Sequence, residues 1–289
     1  MELTPCTRPI GLIGCPVEHS LSPKLHNAIY QKYGMDFVYL AFDIKKEELY
    51  YAINGFRVLS FVGFNVTVPH KQNVLQYIDE LDIEAQAIGA VNTVKIENGR
   101  LKGYNTDGSG FIGSLKNRGV SVKGMNVLVL GAGGSSRAIC VYLAKEGVNT
   151  INILNRTKSN AETLVEHIKR YYPFIKINAI DKQNLKSIKS DIIINTTSIG
   201  MWPMVDDSPL DEYNFNSDQI VVDIIYSPLK TKLLKDASSA GCTVINGLDM
   251  LVGQAVKSIE IWTSTAVDHN YGMHVLLEKN TSHIPLSAK

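Results

Sequence analysis

Four cysteines among 289 residues, Cys6, Cys15, Cys140 and Cys242, stand far apart. None forms the C-x-x-C spacing that brings two thiolates onto one metal or into one redox pair. The seven histidines show no H-x-x-x-H repeat, so no metal is expected. A surplus of either charge is equally lacking: 29 Lys+Arg face 28 Asp+Glu, for a formal charge of +1. Without a basic field the chain has no purchase on a nucleic-acid backbone or an anionic membrane surface. No apolar run reaches membrane-spanning length, and the start, Met1-Glu-Leu-Thr-Pro-Cys-Thr-Arg8, lacks the basic cluster and apolar stretch of a secretory signal. Free thiols in a reducing cytoplasm are the expectation. With 45% hydrophobic and 20% charged residues, the composition is that of a globular chain, long enough for about two domains of roughly 150 residues.

Short apolar runs bounded by turn residues alternate with helix-like segments, the order that builds a mostly parallel sheet with helices on both faces. In the first half, strands are expected near Ile10–Ile13, Phe37–Phe42, Phe61–Val66 and Val91–Ile96, with helices after Ser22, Lys45 and His70. From Asn126 the runs become shorter and β-branched: Val127–Leu130, Ile151–Leu154, Ile192–Ile194, Ile220–Ile224 and Cys242–Ile245. That shift marks a second domain, with the hinge expected in the Gly-punctuated stretch Asn105–Gly124. Beyond Met250, Val252, Val256, Ile259 and Trp262 recur at helical spacing, and such a helix can return to the first domain.

The strand Val127-Leu-Val-Leu130 runs into Gly131-Ala132-Gly133-Gly134-Ser135 and then a helix, the context of a dinucleotide-binding turn. Gly131 permits the tight turn, Gly133 lets the backbone approach a pyrophosphate, and the helix N-terminus offers N–H groups and partial positive charge. Ser136 stands at the third glycine position of the fingerprint. A ligand-free strand-to-helix connection is the alternative reading. The next strand ends Leu154-Asn155-Arg156-Thr157-Lys158, with no acid to bond a ribose hydroxyl and with bases that attract a 2′-phosphate. NADP is therefore the expected cofactor, NAD the weaker alternative; a solvated basic turn also accounts for the residues.

Polar residues cluster in the first half. Ser20 and Ser22, two apart, project to one side of an extended segment and can grip one carboxylate; Ser22 before Pro23 is equally an N-cap. Asn65 and Thr67 alternate with Val66 and Val68 at a strand end, where ligands gather over α/β sheets. Lys71 follows at a helix start, a site its charge disfavours, although a solvated lysine is the plain alternative. Asn92 and Asp107 sit at element borders, and Asp107 reads also as an N-cap.

The ordered motifs Ser20-Leu-Ser-Pro23, Asn65-Val-Thr-Val-Pro-His-Lys71, Gly89-Ala-Val-Asn-Thr93, Asn105-Thr-Asp-Gly108, Gly131-Ala-Gly-Gly134, Asn155-Arg-Thr157, Asn195-Thr-Thr-Ser-Ile-Gly-Met201 and Gly247-Leu-Asp-Met-Leu-Val-Gly-Gln254 resemble the shikimate dehydrogenase family. Its members interconvert 3-dehydroshikimate and shikimate on the chorismate route to aromatic amino acids. The resemblance implies an α/β fold of two domains with the active site in the cleft between them. A substrate domain would take residues 1–110 plus 249–289, and a Rossmann-type, doubly wound dinucleotide domain residues 111–248. It implies that Ser20 and Ser22 bind the substrate carboxylate, that Asn65, Thr67, Asn92, Tyr226 and Gln254 hold the ring and its hydroxyls, and that Lys71 and Asp107 form the catalytic pair. On the cofactor side it implies Gly131, Ala132, Gly133, Gly134 and Ser135 at the pyrophosphate. Asn155, Arg156 and Thr157 would meet the 2′-phosphate with help from Lys158, and Thr197, Ile224 and Gly247 the nicotinamide half. Asn160 stands where many NADP-dependent members carry a second arginine. A dual-specificity quinate/shikimate dehydrogenase shares nearly all these motifs; a non-catalytic dinucleotide sensor would need neither Lys71 nor Asp107. The chain is expected to act as a monomer or homodimer.

Overall fold

The computed structural model describes residues 3–278, which divide into two compact units. The first takes the described residues up to Leu81, Val91–Tyr104 and those from Ala255 onward; the second takes Asp82–Ala90 and Asn105–Gln254. The chain thus changes unit four times, whereas the expected division changes only at 110/111 and 248/249 and puts a hinge between Asn105 and Gly124. That stretch lies wholly inside the second unit.

In the second unit, strands β7 (Asn126–Leu130), β8 (Thr150–Leu154), β9 (Lys176–Ile180), β10 (Ile192–Asn195), β11 (Ile220–Asp223) and β12 (Thr243–Ile245) are joined in the order β12-β11-β10-β7-β8-β9. Every pair is parallel. This is the doubly wound order expected of a Rossmann-type domain. Alternate residues point to opposite faces of a strand, and both faces here are covered. Val127, Val129, Ile151, Ile153, Ile192 and Ile194 join one core with residues of α5 (Asp107–Lys116), α6 (Gly134–Lys145) and α7 (Lys158–Tyr171). Leu128, Leu130, Ile193 and Val221 join another with Leu233, Leu234 and Ala237 of α8 (Lys232–Ser239). Two-sided burial explains why these strands read as unbroken apolar runs.

Helix α4 (Ile83–Ile88) belongs to this unit because its partners do. Tyr142 and Lys145 of α6 both donate to the Glu84 carboxylate, and His167 of α7 bonds the Ala87 carbonyl at 2.8 Å. At the other end, Gly253 of α9 (Leu248–Thr263) brings its backbone against Gly110 of α5, so the unit boundary falls within α9, between Gln254 and Ala255.

The first unit holds a mixed sheet ordered β2-β1-β3-β5-β6-β4 from β1 (Arg8–Gly14), β2 (Phe37–Asp43), β3 (Gly63–Val66), β4 (Glu80–Leu81), β5 (Thr93–Glu97) and β6 (Arg100–Tyr104). Strands β1, β2 and β3 are parallel, while β3–β5 and β5–β6 are antiparallel. Strand β6 has no counterpart in the sequence expectation. Its hairpin turns on Asn98 (φ +52°) and Gly99 (φ +73°), the Asn-Gly signal of a two-residue turn with both central residues left-handed. Helices α1 (Ser22–Lys32), α2 (Leu49–Val58), α3 (His70–Asn73) and α10 (His269–Leu277) complete the unit with the C-terminal part of α9. That part does return to the first unit: Trp262 donates its indole N–H to the Val94 carbonyl at 2.9 Å. Among the described residues no helix is long and apolar enough to cross a membrane.

Candidate functional site

In the second unit the strand order reverses between β7 and β10, so the turns leaving Leu130 and Asn195 flank the switch point where open α/β sheets bind ligands. Gly131 (φ +110°) occupies a backbone region costly for side chains, and a Cβ there would lie 2.6 Å from the Thr196 hydroxyl oxygen. Thr196 fastens the two turns: its N–H and hydroxyl both donate to the Leu130 carbonyl, at 2.9 and 2.6 Å. Its hydroxyl also lies 2.5 Å from that of Ser136. Ser136, buried, departs from the glycine of the fingerprint because its hydroxyl has this partner.

Gly133 is the N-cap of α6, with open space where a Cβ would stand. No side chain caps the helix and its first turn holds no acid. Ala132, Gly134 and Ser135 are only half-buried around it. Backbone donors, a positive helix end and room beside Gly133 fit a pyrophosphate.

At the tip of β8, Asn155 donates to the Thr157 carbonyl at 2.8 Å and so braces the turn. Arg156 is exposed and has no ion-pair partner among the described residues. Thr157 is the N-cap of α7, but its hydroxyl makes no capping bond, and no acid occupies the first turn. The set suits a 2′-phosphate. Lys158 differs in having an ion-pair partner: its ammonium pairs with Asp181 at 2.6 Å.

Beyond β10 and β11 lies a network that sequence reasoning did not assign. Asp223 is fully buried. One carboxylate oxygen accepts from the Asn195 amide (3.1 Å) and the Ile225 N–H (3.0 Å), the other from the Thr231 hydroxyl (2.8 Å). Burial outweighs these donors and pushes its pKa up to about 6. Asn195 in turn accepts from the N–H and hydroxyl of Thr197, at 3.0 and 2.7 Å. Gly247 donates to the Ile225 carbonyl (3.0 Å) and is so close to Ile224 that a Cβ would strike that backbone. Thr197, Ile224, Tyr226 and Gly247 are thus brought to the carboxyl ends of these strands. The available signal was an acid ending a β-branched strand, where a buried carboxylate must have donors to be tolerated.

In the first unit, Ser20, Ser22, Asn65, Thr67, Lys71 and Asn92 gather beyond β1, β3 and at the start of β5. The extended geometry expected for the serine pair is absent: Leu21 is helical and is itself the N-cap of α1, so Ser22 is the first helical residue and caps nothing. Ser20 instead accepts the Ser22 N–H at 3.2 Å. Asn65 is buried in a dense network, accepting from the Tyr39 hydroxyl (2.7 Å) and donating to the Asn92 carbonyl (2.9 Å), Thr93 (3.0 Å) and Ser258 (3.2 Å). Asn92 accepts from the Thr93 hydroxyl at 2.9 Å. Thr67 donates its N–H to the Ile13 carbonyl (2.8 Å), and Lys71, half-buried in α3, accepts the Val91 N–H (2.8 Å). The strand ends are thereby stitched into one surface.

Asp107 and Gln254 fall in the second unit, although residues 1–110 and 249–289 were expected in the first. Asp107 is not an N-cap: Thr106 precedes it in that position, and Asp107 is buried in the first turn of α5, its N–H held by Asn105 at 3.1 Å. A carboxylate there is favoured by the helix dipole. Gly110, one turn on, meets the backbone of Gln254, which seats that side chain on the same helix pair.

Two family models match the chain: the shikimate dehydrogenase substrate binding domain over residues 12–94 and shikimate / quinate 5-dehydrogenase over residues 114–227. The NADP(+) shikimate dehydrogenase of Methanococcus aeolicus is 45% identical over 273 residues, covering 94% of this chain and 98% of its own. A crystal structure of shikimate dehydrogenase in complex with NADP+ superposes with a TM-score of 0.89 at 41% identity, covering 97% and 98% of the two chains. That of Listeria monocytogenes shikimate 5-dehydrogenase with shikimate and NAD gives 0.87 at 38% identity, covering 96% and 99%.

Proposed function

The chain belongs to the shikimate dehydrogenase family, and from that premise we propose that it catalyses the reversible, NADP-dependent reduction of 3-dehydroshikimate to shikimate. The observation that carries the cofactor side is the acid-free, uncapped start of α6 behind Gly131 and Gly133, with exposed Arg156 at the neighbouring strand tip. Gly131, Ala132, Gly133, Gly134 and Ser135 hold the pyrophosphate, Asn155, Arg156 and Thr157 the 2′-phosphate, and Thr197, Ile224 and Gly247 the nicotinamide half. The first unit is the substrate domain and the second the dinucleotide domain.

When bound, the reduced nicotinamide supplies a hydride to the substrate ketone. The carbonyl oxygen then develops alkoxide charge, which needs a positive group and a proton. Lys71 provides both, its ammonium stabilising the oxygen and then donating to it. In the oxidation direction neutral Lys71 takes the hydroxyl proton. Asp107 is assigned as the second member of the acid–base pair. Ser20 and Ser22 bind the substrate carboxylate; Asn65, Thr67, Asn92, Tyr226 and Gln254 hold the ring and hydroxyls. Since Asn65 already spends its donors inside the first unit, its free capacity is the remaining lone pair of its oxygen. The four cysteines are free, and we assign the enzyme to the cytoplasm as a monomer or homodimer.

Steady-state rates for shikimate and quinate, each with NADP and NAD, test this reading in the wild type and in Lys71→Ala. The fastest turnover is expected for shikimate with NADP. Lys71→Ala should lower kcat by about 10²–10⁴ with a much smaller change in KM. Equal rates with quinate would make the enzyme dual-specific, and cofactor binding without turnover of either acid would leave a dinucleotide sensor. A kcat within about threefold of wild type would remove Lys71 from the chemistry.

A further inference from the structure

We propose that Asp223 is a positioning residue that sets the polarity of the hydrogen bonds presenting Thr197 and the Ile224–Tyr226 segment to the nicotinamide half of the cofactor. The inference rests on the assignment of those residues to the cofactor site. It comes from the direction of each hydrogen bond. An ionised carboxylate only accepts. Asn195, fully buried beside it, must therefore turn its NH₂ towards Asp223, which leaves its amide oxygen facing Thr197. That oxygen accepts both the N–H and the hydroxyl of Thr197, so the Thr197 proton is committed and its lone pairs point elsewhere; one receives the Ile199 N–H at 3.2 Å. The same carboxylate accepts the Ile225 N–H, which fixes the backbone between Ile224 and Tyr226, and the hydroxyl of Thr231, N-cap of α8. One negative charge thus holds three chain segments: the turn after Asn195, the backbone at Ile225 and the start of α8.

A neutral group cannot do the same. Protonated Asp223, or asparagine in its place, presents a donor as well as an acceptor. Asn195 then keeps its orientation only through the Thr197 N–H and its own donation to the Ile199 carbonyl at 3.3 Å, without the charge that draws its NH₂ towards Asp223. The groups facing Asp223 are the Asn195 amide on β10 and, beyond β11, the Ile225 N–H and the Thr231 hydroxyl; none of them is ionisable near neutrality. The acidic limb of cofactor-dependent activity should therefore follow Asp223 itself, with function present above a pH of about 6 and lost below it.

The test uses the full-length enzyme and two readouts. NADPH affinity is compared with that of adenosine 2′,5′-bisphosphate, which carries only the adenosine half. Asp223→Asn is expected to weaken NADPH binding, or to lower kcat/KM for NADPH, by tenfold or more while adenosine 2′,5′-bisphosphate binds within about twofold of wild type. A general loss of structure would weaken both. In the second readout, Thr231→Val removes one donor to the charged form, so the acidic limb should move to higher pH. This arm decides the matter if Asp223→Asn does not fold. NADPH parameters within twofold of wild type in Asp223→Asn, or an unmoved limb in Thr231→Val, would overturn the role of Asp223. Wild-type enzyme that binds NADPH but turns over no substrate would instead overturn the proposed activity and leave the binding comparison intact.

Discussion

Arg156 and Lys158 show how two bases in one turn acquire different duties. Both precede or begin α7, yet Lys158 is engaged by Asp181 while Arg156 stands exposed beside an uncapped helix end. The guanidinium also matches phosphate oxygens in a way an ammonium does not. With Asn160 in place of a second arginine, the proposed 2′-phosphate site relies for its charge chiefly on Arg156. Isothermal titration should show Arg156→Ala losing roughly ten- to hundredfold in NADP affinity, the worth of a charge-assisted hydrogen bond, with NAD affinity almost unchanged. Equal losses for the two cofactors would remove Arg156 from the phosphate site.

Among the elements, the pairing of α5 with α9 depends on having no side chain at the contact. A Cβ on Gly110 would stand 2.8 Å from the Gln254 nitrogen and 3.0 Å from the Met250 carbonyl, and one on Gly253 would stand 3.1 Å from the Gly110 Cα. These neighbours are helix backbone, which cannot swing aside as a side chain can. Alanine gains up to about 1 kcal/mol of helix propensity over glycine, whereas overpacking of this kind costs about 1–3 kcal/mol. Gly110→Ala should therefore be destabilising by about 1–2 kcal/mol in urea unfolding. It should also raise KM for shikimate, because Gln254 moves with α9 and Asp107 with α5. A variant as stable as wild type and unchanged in KM would show that the helices separate freely.

At the scale of the whole molecule, a strong pH dependence of stability comes from a residue with no place in the chemistry. His26 is completely buried, stacked on Tyr39 at a centroid distance of 4.1 Å, with Nδ1 3.3 Å from the Tyr30 hydroxyl. Its Nε2 has no partner among the described residues, so an imidazolium there could not be satisfied, and burial lowers its pKa to about 3. The unfolded chain takes up that proton below its ordinary pKa of about 6.5 and the native state does not. The stabilisation is thus complete above pH 6.5 and disappears as pH falls towards 3. Between pH 6.5 and 5 the difference in unfolding free energy between wild type and His26→Phe should change by about 2 kcal/mol, the variant being the less pH-sensitive. Parallel pH profiles would show that the native ring takes up its proton as readily as the unfolded chain does.

Much of this protein was legible in neighbouring residues. The Gly131 turn, the uncapped start of α6, the acid-free tip of β8 and the apolar runs of the parallel sheet are local patterns, because turn chemistry and strand periodicity act over a few residues. Strand β6 was not among the expected strands, although Asn98-Gly99 carries its turn signal. Tertiary structure alone decided what depends on distant partners. It put α4 with α6 through Glu84 and with α7 through Ala87, set the unit boundary inside α9 through Gly110 and Gly253, and tied Asn65 to Ser258 across 193 positions. It also converted Asp223 from the last residue of a strand into a buried charge that orders its surroundings. Composition and spacing record which groups a chain carries; the free energy of a buried charge depends on the donors that folding brings to it.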